Sequence, residues 1–167
     1  MNSGDLHIER VPITHPDAQR LIDEVQLEYV ARYGSEDTSP IDPAEFEDPV
    51  GQFFVARQGG AAVAMGAWRR SPASALGSDV SAEVKRMYVT PSAQRRGIAR
   101  RLLAHLETTA ADAGIGVLVL ETGTRQPEAI ELYTSSGYEA IPGFGYYRDF
   151  ELSRCFARRI DGPREAR

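Results

Sequence analysis

The sequence predicts an α/β fold in which helices cover both faces of one mixed β-sheet. Short runs of apolar residues are typical of strands, whereas longer segments repeat apolar residues every three to four positions, as helices do. The two kinds of segment alternate along the chain. Such alternation favours a ligand crevice at the ends of the strands.

The first half of the chain is expected to supply a strand, a long helix, a short helix and a hairpin. In chain order these are a strand at 6–13, a helix at about 16–33, a short helix around 43–47 and strands at 52–58 and 61–69. Gly59-Gly60 separates the last two strands and is a strong hairpin signal. Residues 71–79 are expected to form a loop.

The second half is expected to alternate strands with amphipathic helices. In chain order these are a strand at 81–89, a helix at 96–113, a buried strand at 117–121, a helix at 127–136 and strands near 138–140 and 147–157. The 81–89 segment is rich in residues that suit a pleated, buried strand, and Thr90-Pro91 ends it. Gly114 is a natural stop for the helix before it.

The most informative stretch is the turn Gln94-Arg95-Arg96-Gly97-Ile98-Ala99, which reads Q-x-x-G-x-A between a strand and a helix. A helix beginning here directs free backbone N–H groups at an anion, and Gly97 lets a bound group approach the main chain. Residues 84–101 carry six basic and no acidic side chains, although the chain has net charge −5: Lys85, Arg86, Arg95, Arg96, Arg100 and Arg101. A phosphate ligand is favoured over general nucleic-acid binding. The alternative is an ordinary turn beside a solvated basic face.

Other kinds of binding site, and the membrane and secreted classes of protein, have less support in the sequence. The turn lacks the Gly-Lys-Ser/Thr of a P-loop and the three glycines of a dinucleotide fingerprint. His7, His15 and His105 are scattered, so no metal site is predicted, and Cys155 as the one cysteine excludes an internal disulfide. The chain has 167 residues, of which 42% are hydrophobic and 26% are charged. It has no apolar run long enough to span a membrane or to serve as a secretory signal. We therefore expect one soluble cytoplasmic domain over residues 1–167.

Three segments together resemble the GNAT N-acetyltransferase superfamily. The turn at Gln94, Gly97 and Ala99 matches its Q/R-x-x-G-x-G/A pattern, with alanine where many members have glycine. Residues 129–138, AIELYTSSGY, are similar to its A-x-x-L-Y-x-x-x-G-F/Y segment. The pattern LETG, QPEAI and FGYY within 120–147 resembles a bacterial subgroup. The resemblance is specific over about residues 81–150 and rests on element order before residue 80.

The resemblance implies a largely antiparallel, twisted sheet of about seven strands with about four helices, in which a bulged fourth strand splays from the fifth. It also implies acetyl-coenzyme A as the cofactor, with its pyrophosphate at the turn and its pantetheine arm along the fourth strand. The residues that would hold it are Met87, Tyr88, Val89, Gln94, Arg95, Arg96, Gly97, Ile98, Ala99, Arg100, Gln126, Ala129 and Tyr133.

Catalytic candidates follow from the same resemblance. Tyr133 occupies the tyrosine position near the coenzyme A sulfur, where it would protonate the leaving thiolate or orient the sulfur; the alternative is an aromatic residue that packs in the core. Glu83 lies 14 residues before Gly97, which is the spacing of the glutamate base in histone-acetyltransferase-like members. On a regular strand it would share a face with Lys85 and Met87. Glu121, at the end of the fifth strand, is the competing base.

The acceptor wall is harder to predict. Residues 20–50 carry nine acidic and two basic side chains, which either attract a cationic amine or form a solvated helix face. Tyr29, Tyr33 and Trp68 are candidates to line an acceptor pocket, as are Phe46 and Phe53, although aromatic residues often pack in the core. Arg69 and Arg70 would instead suit an acceptor carboxylate.

The expected function is transfer of the acetyl group of acetyl-coenzyme A to a primary amine of a small molecule or peptide, by direct attack in a ternary complex. Two alternatives stay open, namely an acyl-coenzyme A sensor without turnover and a transferase for longer acyl groups. No nucleic-acid or membrane partner is expected, and the chain is expected to be a monomer or homodimer.

Overall fold

The computed structural model describes residues 5–162, which form a seven-stranded sheet with helices on both faces. The strands are β1 Leu6–Arg10, β2 Gly51–Gln58, β3 Ala61–Ser71, β4 Ser81–Val89, β5 Val117–Gly123, β6 Glu139–Ile141 and β7 Ser153–Arg159. The α-helices are α1 Pro16–Tyr33, α2 Ile98–Asp112 and α3 Pro127–Ser135, with 3₁₀ turns at Pro43–Phe46 and Pro91–Ala93. The four expected helices are all present in this range, three as α-helices and the short one around 43–47 as the 3₁₀ turn Pro43–Phe46.

The strand order is β1-β2-β3-β4-β5-β7-β6, and every neighbouring pair is antiparallel except the parallel pair β4–β5. Leu21 and Val25 of α1 pack with Phe53 on one face of the sheet. Leu102 and Leu106 of α2 pack on the other face, where α3 also contributes. The mixed, largely antiparallel sheet is thus confirmed. None of the helices described is long and apolar enough to cross a membrane.

The parallel pair separates after three residues. Ser81–Glu83 of β4 pairs with Val117–Val119 of β5, and no pairing joins the rest of the two strands. The β3–β4 register also shifts between Met65 and Ala67, where β4 has an additional residue. Arg86 lies at this bulge with a φ of 59°, in the left-handed region. The bulge and the splay that the resemblance implied are both present.

The bulge corrects one prediction about side-chain direction. Glu83, Lys85 and Met87 were expected on one face of the strand. Glu83 and Lys85 line a cavity on the α1 face, whereas Met87 packs with the α2 cluster. One additional residue in a strand reverses the alternation after it, and this is why Met87 lies on the opposite face.

Two strand boundaries differ from the predictions. The first strand ends at Arg10 rather than residue 13, because Pro12 has no N–H to continue the ladder. The last strand begins at Ser153 rather than residue 147. Residues 145–152 instead form successive turns, in which Arg148 N–H donates to the Gly145 carbonyl at 3.3 Å and Phe150 N–H donates to the Tyr147 carbonyl at 3.0 Å.

Candidate active site

The turn between β4 and α2 presents unpaired backbone donors. Gly97 caps α2 with a φ of 77°, and Arg95 two residues earlier has a φ of 65°. The first N–H of the helix with an intrahelical partner belongs to Arg101, which donates to the Gly97 carbonyl at 3.1 Å. No side chain caps this end. The N–H groups of residues 98–100 are therefore free to bind an anion.

The polar side chains of this turn mainly hold it in place. The Gln94 amide donates to the Val89 carbonyl at 3.1 Å, and Arg96 donates to the Gln58 side chain at 3.0 Å. Arg100 donates to the hydroxyls of Ser135 and Ser136 at 2.8 and 3.0 Å, which joins the first turn of α2 to the end of α3. Buried Ile98 and half-buried Ala99 complete the first helical turn.

A cavity of about 460 Å³ occupies the wedge between the separated ends of β4 and β5. Val84, Lys85, Arg86 and Met87 line it from β4, and Glu121, Thr122 and Gly123 line it from β5. The predicted site residues that the cavity brings together are Met87, Glu121, Gln126, Ala129, Tyr133, Tyr29 and Tyr33.

Beyond Met87, the edge of β4 runs from this cavity to the turn. The Tyr88 side chain faces α1, where its hydroxyl donates to Glu24 at 3.2 Å. Burial and that carboxylate raise the pKa of Tyr88 to about 12. The Tyr88 side chain therefore points to the α1 face and not toward β5.

Tyr133 is a buried side chain on α3 that lines the cavity and packs edge-on against Tyr138 at 5.7 Å between ring centroids. Burial raises the pKa of its hydroxyl, and the nearby Tyr29 and Glu121 add to the effect. The hydroxyl is therefore protonated at neutral pH and is able to donate a proton.

The two carboxylate candidates both line a second cavity, but of the two only Glu121 also lines the wedge cavity. Glu121 accepts a hydrogen bond from the Ser153 hydroxyl at 3.0 Å. Burial raises the pKa of Glu121 above its ordinary value. Glu83 does not line the wedge cavity; its Oε1 accepts from Arg69 Nε and Nη2 at 3.3 and 3.2 Å, beside the second cavity of about 320 Å³. Of the two predicted bases, Glu121 is therefore the one that shares the wedge cavity with Tyr133.

Tyrosines form much of the remaining wall. Burial raises the pKa of Tyr29 and of Tyr33, so both hydroxyls stay neutral. The Tyr33 hydroxyl donates to Gln126 at 3.3 Å and accepts from the Arg125 N–H at 3.2 Å, which fixes it across the end of β5.

Trp68 lies elsewhere, contrary to its prediction as an acceptor-wall residue. It is 1% exposed in the core beneath α2, and its indole N–H donates to the Thr109 hydroxyl at 3.1 Å. Its position on β3 directs the ring to the α2 face, away from the cavity. Arg69 and Arg70 are also engaged, because Arg69 binds Glu45 and Glu83 while Arg70 donates to the Pro49 and Ala113 carbonyls.

Asp37 and Tyr147 line the cavity but were not among the predicted site residues, although Tyr147 belongs to the FGYY pattern and Asp37 to the acidic residues of 20–50. The Tyr147 hydroxyl donates to Asp37 at 2.8 Å and accepts from the Thr38 N–H at 3.0 Å, which closes the 145–152 turns over the cavity. Burial opposes ionisation of Asp37, but hydrogen bonds from Ser39 and the charge of Lys85 hold its pKa below the ordinary value. Each contact joins residues far apart in sequence, so periodicity and spacing gave no signal. Residues 5–162 contain no group of three metal-ligating side chains.

The chain resembles known acetyltransferases over most of its length. Residues 18–138 match the family model described as acetyltransferase (GNAT) family. An IAA acetyltransferase of Azospirillum brasilense is 36% identical over 134 residues, which are 80% of this chain and 84% of the relative. YedL of Escherichia coli, named as an uncharacterised N-acetyltransferase, is 28% identical over 81% of this chain and 83% of its own. A crystal structure from Klebsiella pneumoniae, named for acyl-CoA N-acyltransferase activity, has a TM-score of 0.74 with 27% identity, and covers 93% of this chain and 97% of that one.

Proposed function

This chain belongs to the GNAT acetyltransferase family, and from that premise we propose that it transfers the acetyl group of acetyl-coenzyme A to a primary amine of a small molecule or peptide. The observation that carries the proposal is the cavity in the β4–β5 wedge, which brings the Tyr133 hydroxyl and the Glu121 carboxylate together. A relative named for acetyl transfer supports the acetyl group as the one transferred.

The binding site for the donor follows from the free donors along β4 and α2. Acetyl-coenzyme A would supply an activated thioester and a pyrophosphate. The N–H groups of residues 98–100 fit the pyrophosphate, since the helix N-terminus favours negative charge. Gly97 leaves that approach open, because a Cβ built on it would meet nothing within 4 Å. The main chain at the bulge and beyond fits the pantetheine arm, and Met87 lines the wall beside the thioester end.

The proton transfers are assigned to two side chains of the cavity. Glu121 accepts the proton that the attacking amine loses, directly or through a water molecule. Its raised pKa moves it closer to neutral pH, where a general base is most effective. Tyr133 gives its proton to the departing sulfur, and its hydroxyl is protonated until high pH. A main-chain N–H at the β4 bulge stabilises negative charge on the thioester oxygen.

Release of free thiol from acetyl-coenzyme A tests this function, over a panel of amines, amino acids and peptides. Thermal shift with acetyl-coenzyme A, coenzyme A and NADH comes first. A ligand at about 100 times its Kd stabilises by about 2.7 kcal/mol, or about 5–10 °C in Tm for a chain of this size. We expect this shift from both coenzyme A species and none from NADH. No shift from either would refute the donor assignment.

The acceptor panel separates catalysis from sensing. Thermal stabilisation by coenzyme A without thiol release from any acceptor would instead identify an acyl-coenzyme A sensor. The same panel run with longer acyl-coenzyme A species identifies the preferred acyl group, and faster release with a longer chain would replace the acetyl assignment.

A further inference from the structure

Arg86 is a buried arginine whose hydrogen-bonding capacity is mostly unused. Its side chain is 6% exposed and lines the cavity in the β4–β5 wedge. A guanidinium has five N–H donors. The contact it makes among the described residues is Nη1 to Asp37 Oδ2 at 3.5 Å, and its Nε is buried with no acceptor. Buried polar groups are nearly always hydrogen-bonded, so this guanidinium indicates a missing partner.

Asp37 fills that role only in part, as an ion pair with Arg86 at 3.5 Å. Its Oδ1 is taken by the Ser39 N–H and by the Tyr147 hydroxyl, both at 2.8 Å, so the carboxylate is held toward the loop and the 145–152 turns. Its other oxygen reaches Arg86 only at the limit of hydrogen bonding. Lys85 adds a second positive charge to the cavity wall, where its ammonium donates to the Ser39 hydroxyl at 3.2 Å.

Resting on the proposed acetyl transfer, we propose that the acceptor carries a carboxylate as well as its amine, and that Arg86 binds this carboxylate. A planar fork of N–H donors matches a carboxylate in two parallel hydrogen bonds. The tyrosine-rich wall around it, including Tyr29, Tyr33 and Tyr147, favours an aromatic body. The acceptor class is therefore an aromatic amino acid, with its amine toward Glu121 and its carboxylate toward Arg86.

The carboxylate belongs to the acceptor rather than to the donor. The negative groups of coenzyme A are its phosphates, which are assigned to the free N–H groups of α2. The acetyl group and pantetheine arm that would reach this cavity carry no negative charge. An acyl group with its own carboxylate is the other chemical source, and succinyl-coenzyme A is its probe.

Three acceptors that share the aromatic ring and the primary amine and differ in the group at the carboxylate position test the proposal. They are phenylalanine, phenylalaninamide and phenethylamine, each followed by thiol release from acetyl-coenzyme A. We expect kcat/KM to be at least about tenfold higher for phenylalanine, since a hydrogen-bonded charged group contributes on this scale. Equal values for the acid and the amide would overturn the proposal. A tenfold preference for succinyl- over acetyl-coenzyme A, without preference among the acceptors, would overturn it too.

Variants locate the effect at Arg86. Arg86→Met is expected to remove the preference through KM for phenylalanine, and Arg86→Lys to keep part of it. Arg148→Met is the matched control, because Arg148 lies on the 145–152 turns with a side chain 64% exposed and does not line the cavity. A preference that survives Arg86→Met would overturn the assignment. An unchanged thermal shift with coenzyme A shows that each variant keeps its donor site.

Binding without chemistry separates this proposal from the proposed function. 3-Phenylpropionate has the carboxylate and ring but no amine, so its Kd reports on Arg86 even if no acceptor is acetylated. We expect it to bind at least about tenfold more tightly than phenethylamine, and to lose that advantage in Arg86→Met. Equal binding of the two probes would refute the carboxylate site, whereas absent thiol release alone would refute only acetyl transfer.

Discussion

Substituting Gly97 by alanine tests the anion site at the start of α2. Gly97 has a φ of 77°, and a non-glycine residue in this left-handed region costs about 1–2 kcal/mol. A Cβ built there meets nothing within 4 Å, so no clash adds to this cost. At 2–4 °C per kcal/mol for this chain length, we expect Tm to fall by about 2–8 °C.

Gly114 supplies a matched control at the other end of the same helix. It has a φ of 90°, and a Cβ on it also meets nothing within 4 Å. Gly114→Ala is therefore expected to lose a similar amount of stability. Only Gly97→Ala places a methyl group beside the free N–H groups, where an anion at hydrogen-bond distance leaves it no room.

Thermal denaturation and calorimetric titration with coenzyme A measure the two effects separately. For Gly97→Ala we expect Kd to rise at least about tenfold, which is 1.4 kcal/mol, while Gly114→Ala keeps the wild-type Kd. An unchanged Kd in Gly97→Ala, with the expected loss of Tm, would show that coenzyme A does not bind at this turn. An equal rise of Kd in both variants would mean that the loss of fold stability, and not the methyl group at the turn, weakens coenzyme A binding.

Three further substitutions address the cavity. Tyr133→Phe is expected to lower kcat by about 100-fold or more with an unchanged thermal shift by coenzyme A, since the ring stays packed; an unchanged kcat would remove Tyr133 from the acid role. Because burial raises the pKa of Glu121, its ionisation destabilises the fold as pH rises above the unfolded-state pKa. Glu121→Gln is thus expected to have a higher Tm than wild type at about pH 8 and the same Tm at about pH 4, while kcat falls; the opposite pH trend in Tm contradicts this. The methyl group of Gly123→Ala would overlap the Tyr33 hydroxyl. We therefore expect the KM for the acceptor to rise while the affinity for coenzyme A stays unchanged, and an equal loss of acceptor and coenzyme A binding would contradict an effect confined to the acceptor wall.

Elements set by local sequence were predicted well. The helix expected at about 16–33 is α1, because His15 caps its start and Gly34 ends it in the left-handed conformation. The turn at residues 94–99 also lies where the pattern predicted, since the free N–H groups follow from where a helix begins. Each of these features depends on residues within a few positions of one another.

Features that depend on pairing between strands were not predictable in the same way. Trp68 was expected at the acceptor wall, but the β2–β3 pairing turns it toward α2. Glu83 keeps the family spacing, yet Arg69 across the β3–β4 ladder holds its carboxylate beside the second cavity. Tyr147 lies 110 residues from Asp37 along the chain. A single sequence carries no local pattern for such contacts.

Gly66 explains how the strained bulge at Arg86 is accommodated. Gly66 lies on β3 where the register shifts, and a Cβ on it would lie 2.7 Å from the Met87 sulfur and 3.3 Å from Leu102. The missing side chain leaves room for Met87 to turn toward α2 and be covered there. Full burial of a methionine side chain stabilises by about 1.5–3 kcal/mol. Met87 is partly buried against the α2 cluster, so its packing offsets part of the about 1–2 kcal/mol for a left-handed residue. The sheet can therefore hold Arg86 in a conformation that an isolated strand would avoid, and this conformation places its guanidinium on the cavity wall.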